Sequence, residues 1–227
     1  GYDTAAVIRL ANDMRNAGAS GLLSVTPYYN KPSPEGLFRH YSAVAEAAGL
    51  PVVVYNVPGR TGCNLDVSTQ VRLAGIPGIV GVKEASGNMT QICEVCQAVP
   101  PEFVVLSGDD ALTLPTMAVG GRGVISVASN EVPAEMARMV EAAESGDFAA
   151  ALAIHRRLLP LMQVNFVEAN PIPVKAALAL MGLLEPVYRL PLVPPVEPSL
   201  ARIASVLSDA GLLVGDTVLT ASPGRGG

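Results

Sequence analysis

Cysteine is scarce. Three residues, an odd number in a chain of 227, do not form a disulfide framework and point to a reducing compartment, so the cytoplasm is the expected location. Clusters of Lys and Arg are missing and the net charge is −5, which argues against nucleic acid and anionic membrane surfaces as partners. Pro, Gly or a charge interrupts every apolar run before it reaches the roughly 20 residues a bilayer requires. The sequence as it stands shows no secretory signal pattern. No loop matches G-x-G-x-x-G or a P-loop, and Gly120-Gly121-Arg122-Gly123 precedes a strand pattern instead of following one, so no nucleotide cofactor is expected. Cys93-Glu94-Val95-Cys96 has the spacing of half a zinc site, yet no second pair exists and both cysteines fall in a helical pattern; no metal is expected. His40 and His155 sit in helical stretches, and neither is assigned catalysis.

A 50% hydrophobic content supports a sizeable core. Its distribution alternates. Asp3 or Thr4 can cap a helix carrying Val7, Ile8, Leu10, Ala11 and Met14, stopped by Gly18. A strand over 21–26 follows, then a helix through Leu37, Phe38, Tyr41, Val44 and Ala45 that ends at Gly49. Strands at 51–55, 79–84, 103–106 and 123–127 alternate with helices after Asp66, over 89–99 and from Asp110. A strand–helix repeat of roughly 20–30 residues is the signature of a parallel α/β sheet. Beyond Val127 only helical patterns remain, with a Pro-rich connector from Pro186 to Pro198.

The notable residues cluster at the C-terminal ends of the strands: Thr26 with Tyr28 and Tyr29, Tyr55, Lys83, Gly108 and Ile125. Active sites of (β/α)8 barrels are built at that end. The expected fold is therefore an incomplete (β/α)8 TIM barrel with about five of the eight strands. Its expected organisation is a partial barrel over 1–132, a last barrel helix and C-terminal helical segment over 133–213, and a disordered tail over 214–227. Lys83 ends a short apolar run in which desolvation would lower its pKa and free its amine to attack a carbonyl. The alternative is a lysine that reaches the strand end and pairs with Glu84 or another carboxylate. Asp109-Asp110 precedes an apolar helix, the usual place of an N-cap.

Five motifs occur in order: Pro27-Tyr28-Tyr29-Asn30-Lys31-Pro32, Tyr55-Asn56-Val57-Pro58-Gly59-Arg60-Thr61-Gly62, Gly81-Val82-Lys83-Glu84-Ala85, Ser107-Gly108-Asp109-Asp110 and Gly123-Val124-Ile125-Ser126-Val127. Together with Asn170-Pro171-Ile172-Pro173-Val174-Lys175, they make the chain resemble the dihydrodipicolinate synthase family of pyruvate-dependent class I aldolases. The resemblance implies a lyase that joins pyruvate to L-aspartate 4-semialdehyde in lysine and diaminopimelate biosynthesis, without a cofactor. It casts Lys83 as the Schiff-base lysine, Tyr55 as the general acid/base, and Tyr29 as a tyrosine that reaches the site of a neighbouring subunit. It also casts Arg60 as the fork for the aldehyde's carboxylate, and Gly108 and Ile125 as backbone walls of the pyruvate pocket. A homotetramer or dimer is implied for the full-length enzyme.

Other pyruvate-dependent aldolases, acting on 2-keto-3-deoxy acids or 4-hydroxy-2-oxoglutarate, would keep Lys83 and Tyr55 and differ at Arg60. The family pattern also begins three strands earlier, with a threonine pair that completes the proton relay. From that difference the expectation is a truncated product, poorly active or inactive unless complemented. Tyr2 and Ala6 stand where regulated members tend to carry Asn and Glu, so feedback by lysine is expected to be weak.

Overall fold

A computed structural model of the chain describes residues 1–213, and the expected tail over 214–227 lies outside the described residues. The chain divides into two compact units. The first comprises residues 1–126 and 137–153, and carries the sheet.

Its elements follow the local chemistry of the sequence. Helix α1 (Thr4–Asn16) is capped by Asp3, whose Oδ1 accepts the Ala6 N–H at 2.7 Å. Strand β1 (Leu22–Val25) leads to helix α2 (Pro34–Ala48), which starts with Ser33 as cap and Pro34 in its first turn. Gly49 ends α2 at φ 61°, the left-handed conformation that glycine reaches without strain. Strand β2 (Val52–Asn56) is followed by a single turn, α3 (Pro58–Thr61), too short to leave any periodicity in the sequence. Asp66 caps α4 (Val67–Ala74) through the Thr69 N–H at 2.7 Å. Strand β3 (Ile79–Glu84), helix α5 (Met89–Ala98) and strand β4 (Val104–Ser107) come next. Asp109 caps a 3₁₀ turn that begins at Asp110 and runs into α6 (Thr113–Ala118).

The strands form one parallel sheet in the order β1-β2-β3-β4. Among the described residues four strands, not five, are regular. The expected strand over 123–127 makes a single parallel bridge, Ser107↔Val124. It still bonds as an edge: Arg122 N–H donates to Val105 O at 2.9 Å, Ser107 N–H to Gly123 O at 2.8 Å, and Ile125 N–H to Ser107 O at 2.9 Å. Gly123, at φ 146°, interrupts the extended backbone where the ladder would have to continue. Along β2 and β3, Val52, Val54 and Val82 turn towards Leu37 and Tyr41 of α2, Leu73 of α4 and Val95 of α5, and join them in one buried cluster. Strand periodicity then aims the neighbours, Tyr55 and Lys83, at the opposite face. Val80, 38% exposed, shows that β3 is not buried on both faces throughout.

The second unit comprises residues 127–136 and the chain from Ile154 onward. Along the chain, α7 (Pro133–Glu144) and α8 (Phe148–Val164) each begin in one unit and end in the other. Helices α9 (Ile172–Leu180) and α10 (Glu197–Asp209) pack against each other, burying Ile203 and Leu207. Buried Asn165 donates to Glu131 at 2.6 Å. No helix among the described residues is long and apolar enough to cross a membrane.

Leu73 is 1% exposed inside the cluster that joins α4 to the sheet. Leu73→Ala should lower stability by about 2–5 kcal/mol through lost burial and a cavity, read as a lower midpoint in thermal unfolding.

Candidate active site at the strand ends

The parallel register sets Val25 beside Tyr55, Tyr55 beside Lys83, and Lys83 beside Leu106. The row puts a phenol next to an amine without any loop having to fold over. Lys83 Nζ lies 4.2 Å from the centroid of the Tyr55 ring. Both side chains are half-buried.

Burial lowers the pKa of Lys83; the carboxylate of Asp110 opposes this, and the charge of Arg60 adds to it. The net direction is down, towards the neutral amine. Burial raises the pKa of Tyr55, and Arg60 opposes that shift. At neutral pH the phenol therefore holds its proton and can donate it. Arg60 sits in α3, one turn beyond β2, and its field reaches both groups.

Pairing of Lys83 with Glu84 does not occur. Glu84 is buried behind the sheet, where its carboxyl accepts from Asn56, Gln70, Gln91 and the Ser86 N–H. Consecutive strand residues face opposite ways, so the two groups are separated by the sheet itself.

Gly108 leaves room for the lysine. A Cβ there would stand 2.6 Å from the Ala85 Cβ and 3.0 Å from the Lys83 Cε. Its N–H donates to Glu84 O at 2.8 Å, and the Ile125 N–H is likewise used by Ser107 O. What Gly108 and Ile125 can offer a ligand is therefore their carbonyls. Tyr29 is not brought to Lys83 within this chain: it is 88% exposed, with a left-handed φ of 72°. Its N–H donates to Thr61 O at 3.4 Å, and Thr61 Oγ1 in turn accepts from the buried Thr26 hydroxyl at 3.3 Å. That pair ties the end of β1 to the turn that holds Arg60. Tyr28 packs edge-on to Tyr2, ring centroids 5.4 Å apart.

A model of the dihydrodipicolinate synthetase family matches residues 1–210. The chain belongs to this family. A 4-hydroxy-tetrahydrodipicolinate synthase of Koribacter versatilis is 52% identical over 201 residues, covering 88% of this chain and 67% of its own length. The Chlorobium chlorochromatii protein of the same name is 54% identical over 188 residues, covering 82% and 64%. The chain thus spans about two thirds of these relatives. The crystal structure of the dihydrodipicolinate synthase of Thermotoga maritima superposes with a TM-score of 0.92 at 44% identity, covering 93% of this chain and 72% of its own. Its (β/α)8 architecture agrees with the incomplete barrel expected from the strand–helix alternation.

Three residues of this candidate site are not singled out by the sequence. Asp110, whose charge acts on Lys83, was visible only as part of a helix start. Thr61 carried no signal beyond its place in the Pro-Gly-Arg-Thr turn. The acceptor role of Glu84 was masked by its position beside the lysine, although strand alternation could have sent it to the other face.

Competitive labelling of the lysine amines across pH should place the titration midpoint of Lys83 below the ordinary lysine value. In Asp110→Asn the opposing charge is gone, so the midpoint should fall further. A midpoint that rises in this variant is incompatible with the arrangement described.

Proposed function

We propose that the chain carries the Schiff-base half-site of a 4-hydroxy-tetrahydrodipicolinate synthase, condensing pyruvate with L-aspartate 4-semialdehyde. The observation that carries the reading is the desolvated Lys83 amine held 4.2 Å over the ring of Tyr55, at the C-terminal end of a parallel sheet. Family membership supports the choice of substrates, and Arg60 supports it against other pyruvate-dependent aldolases by offering a fork for the second substrate's carboxylate.

The chemistry follows from the groups. The neutral Lys83 amine adds to the keto carbon of pyruvate; the oxygen leaves as water, and an iminium remains. That cation draws electrons from the adjacent methyl, which loses a proton to give the enamine. The enamine carbon attacks the aldehyde, whose oxygen takes up a proton. The amine of the second substrate then displaces Lys83 from the imine carbon, closing the ring and restoring the lysine. One water is lost overall. Tyr55 is the proton donor and acceptor beside the imine, and its raised pKa makes donation its resting role. Gly108 and Ile125 bound the pyruvate side through backbone carbonyls.

Exposed Tyr29 suits a group used by a second copy of the chain, which supports an oligomeric enzyme, a homotetramer or dimer. A biosynthetic enzyme with few cysteines belongs in the cytoplasm.

Borohydride reduction in the presence of pyruvate, followed by peptide mapping, should leave a reduced adduct on the Lys83 peptide and none in Lys83→Ala. An unmodified Lys83 in the folded chain overturns the assignment. With aspartate semialdehyde added, Tyr55→Phe should slow condensation by about 100-fold or more, the size of a lost acid/base group. Arg60→Met should raise KM for the aldehyde about 10-fold, well beyond its effect on pyruvate.

A further inference from the structure

Behind the lysine and tyrosine, the sheet departs from its own pattern. The row Val54–Val82–Val105 is apolar and buried, as suits a face covered by helices. Two residues further along, the row Asn56–Glu84–Ser107 is buried and entirely polar. Burying a carboxyl is expensive unless donors surround it, so an apolar row would have been the simpler solution. Here the donors are complete. Asn56 Nδ2 lies 3.2 and 3.1 Å from the two Glu84 oxygens, Gln70 Nε2 2.9 Å, Gln91 Nε2 3.2 Å and the Ser86 N 2.8 Å. These donors come from β2, α4, α5 and the loop after β3. Asn56 also accepts the Leu65 N–H at 2.9 Å, and Asn64 donates to Gln91 at 2.8 Å. Each member of the pair Asn56–Glu84 directly follows a member of the pair Tyr55–Lys83.

We propose that Glu84 is a positioning residue for Lys83: its buried carboxyl, clamped by Asn56, Gln70 and Gln91, locks the β2–β3 register and the lysine's direction over Tyr55. The inference rests on the reading of Lys83 as the imine-forming amine. Apolar side chains in a strand tolerate sliding and tilting, because dispersion has no direction; hydrogen bonds to a carboxyl do not. A slip by one residue would exchange the faces, placing Lys83 among the helices and Glu84 over the tyrosine. Glu84 acts through the strand and touches no reacting atom.

The test compares pyruvate trapping by cyanoborohydride in the full chain, in Glu84→Gln, in Gln91→Met and in Leu73→Ala, each well below its unfolding midpoint. Trapping amplitude reports the folded fraction, and the rate constant at saturating pyruvate reports the placement of the amine. Glu84→Gln has the same volume but replaces an acceptor with a donor facing donors. Its rate constant should fall about 10-fold or more, with half-saturation by pyruvate within about 2-fold of the parent. Gln91→Met removes one donor and should show a smaller loss, about 3-fold. Leu73→Ala should lose thermal stability yet keep the parent rate constant. If Glu84→Gln does not fold, Gln91→Met decides. Parent rate constants in the folded clamp variants overturn the positioning role and leave the Schiff-base assignment standing. If the parent takes no pyruvate on Lys83, the assignment falls and the positioning role with it.

Discussion

The hydrogen-bonded register between β2 and β3 is the constraint on which the site depends. It sets Tyr55 beside Lys83 and Asn56 beside Glu84. Because side chains alternate across a strand, this one pairing sends the amine and phenol to one face and the carboxyl and amide to the other. The parallel arrangement matters as much. It brings all the strand C-termini to the same end, so that Thr26, Tyr55, Lys83 and Gly108 meet although widely separated in sequence.

Electrostatics in this row is a matter of balance. Burial lowers the pKa of the amine, Asp110 restrains that shift, and Arg60 reinforces it while countering the effect of burial on Tyr55. One guanidinium therefore favours the neutral lysine and restrains the rise of the phenol's pKa. Space is balanced too. Gly108 is the position where any side chain would collide with Ala85 and with the lysine's own methylenes. The polar clamp behind the sheet spares Lys83 a partner: had Glu84 faced the same way, an ion pair would have held the ammonium charged.

Much of this was legible in the residues. Helices α1 and α4 start where Asp3 and Asp66 cap them, and α2 stops at Gly49, because caps are local chemistry; the Ser33 cap of α2 was not anticipated. Strands β1 to β4 lie within a residue or two of the expected spans, since short apolar runs between Gly and Pro have few alternatives. The fifth strand was overestimated: β-propensity at 124–127 is high, but Gly123 breaks the backbone and only a bridge forms. Turn α3 was missed because four residues carry no period. Tyr29, expected to reach the site of a neighbouring subunit, points to solvent within one chain from a left-handed backbone.

By itself the sequence determined the parallel α/β alternation, the strand-end positions of Tyr55 and Lys83, and the family, because each is written in local patterns and ordered motifs. Tertiary structure alone decided which residues face one another. It put Glu84 behind the sheet and not beside the lysine, brought the charge of Asp110 to bear on the amine, and left no room for a side chain at Gly108. Those outcomes depend on strand register and on distances between segments far apart in the chain, which no local pattern specifies.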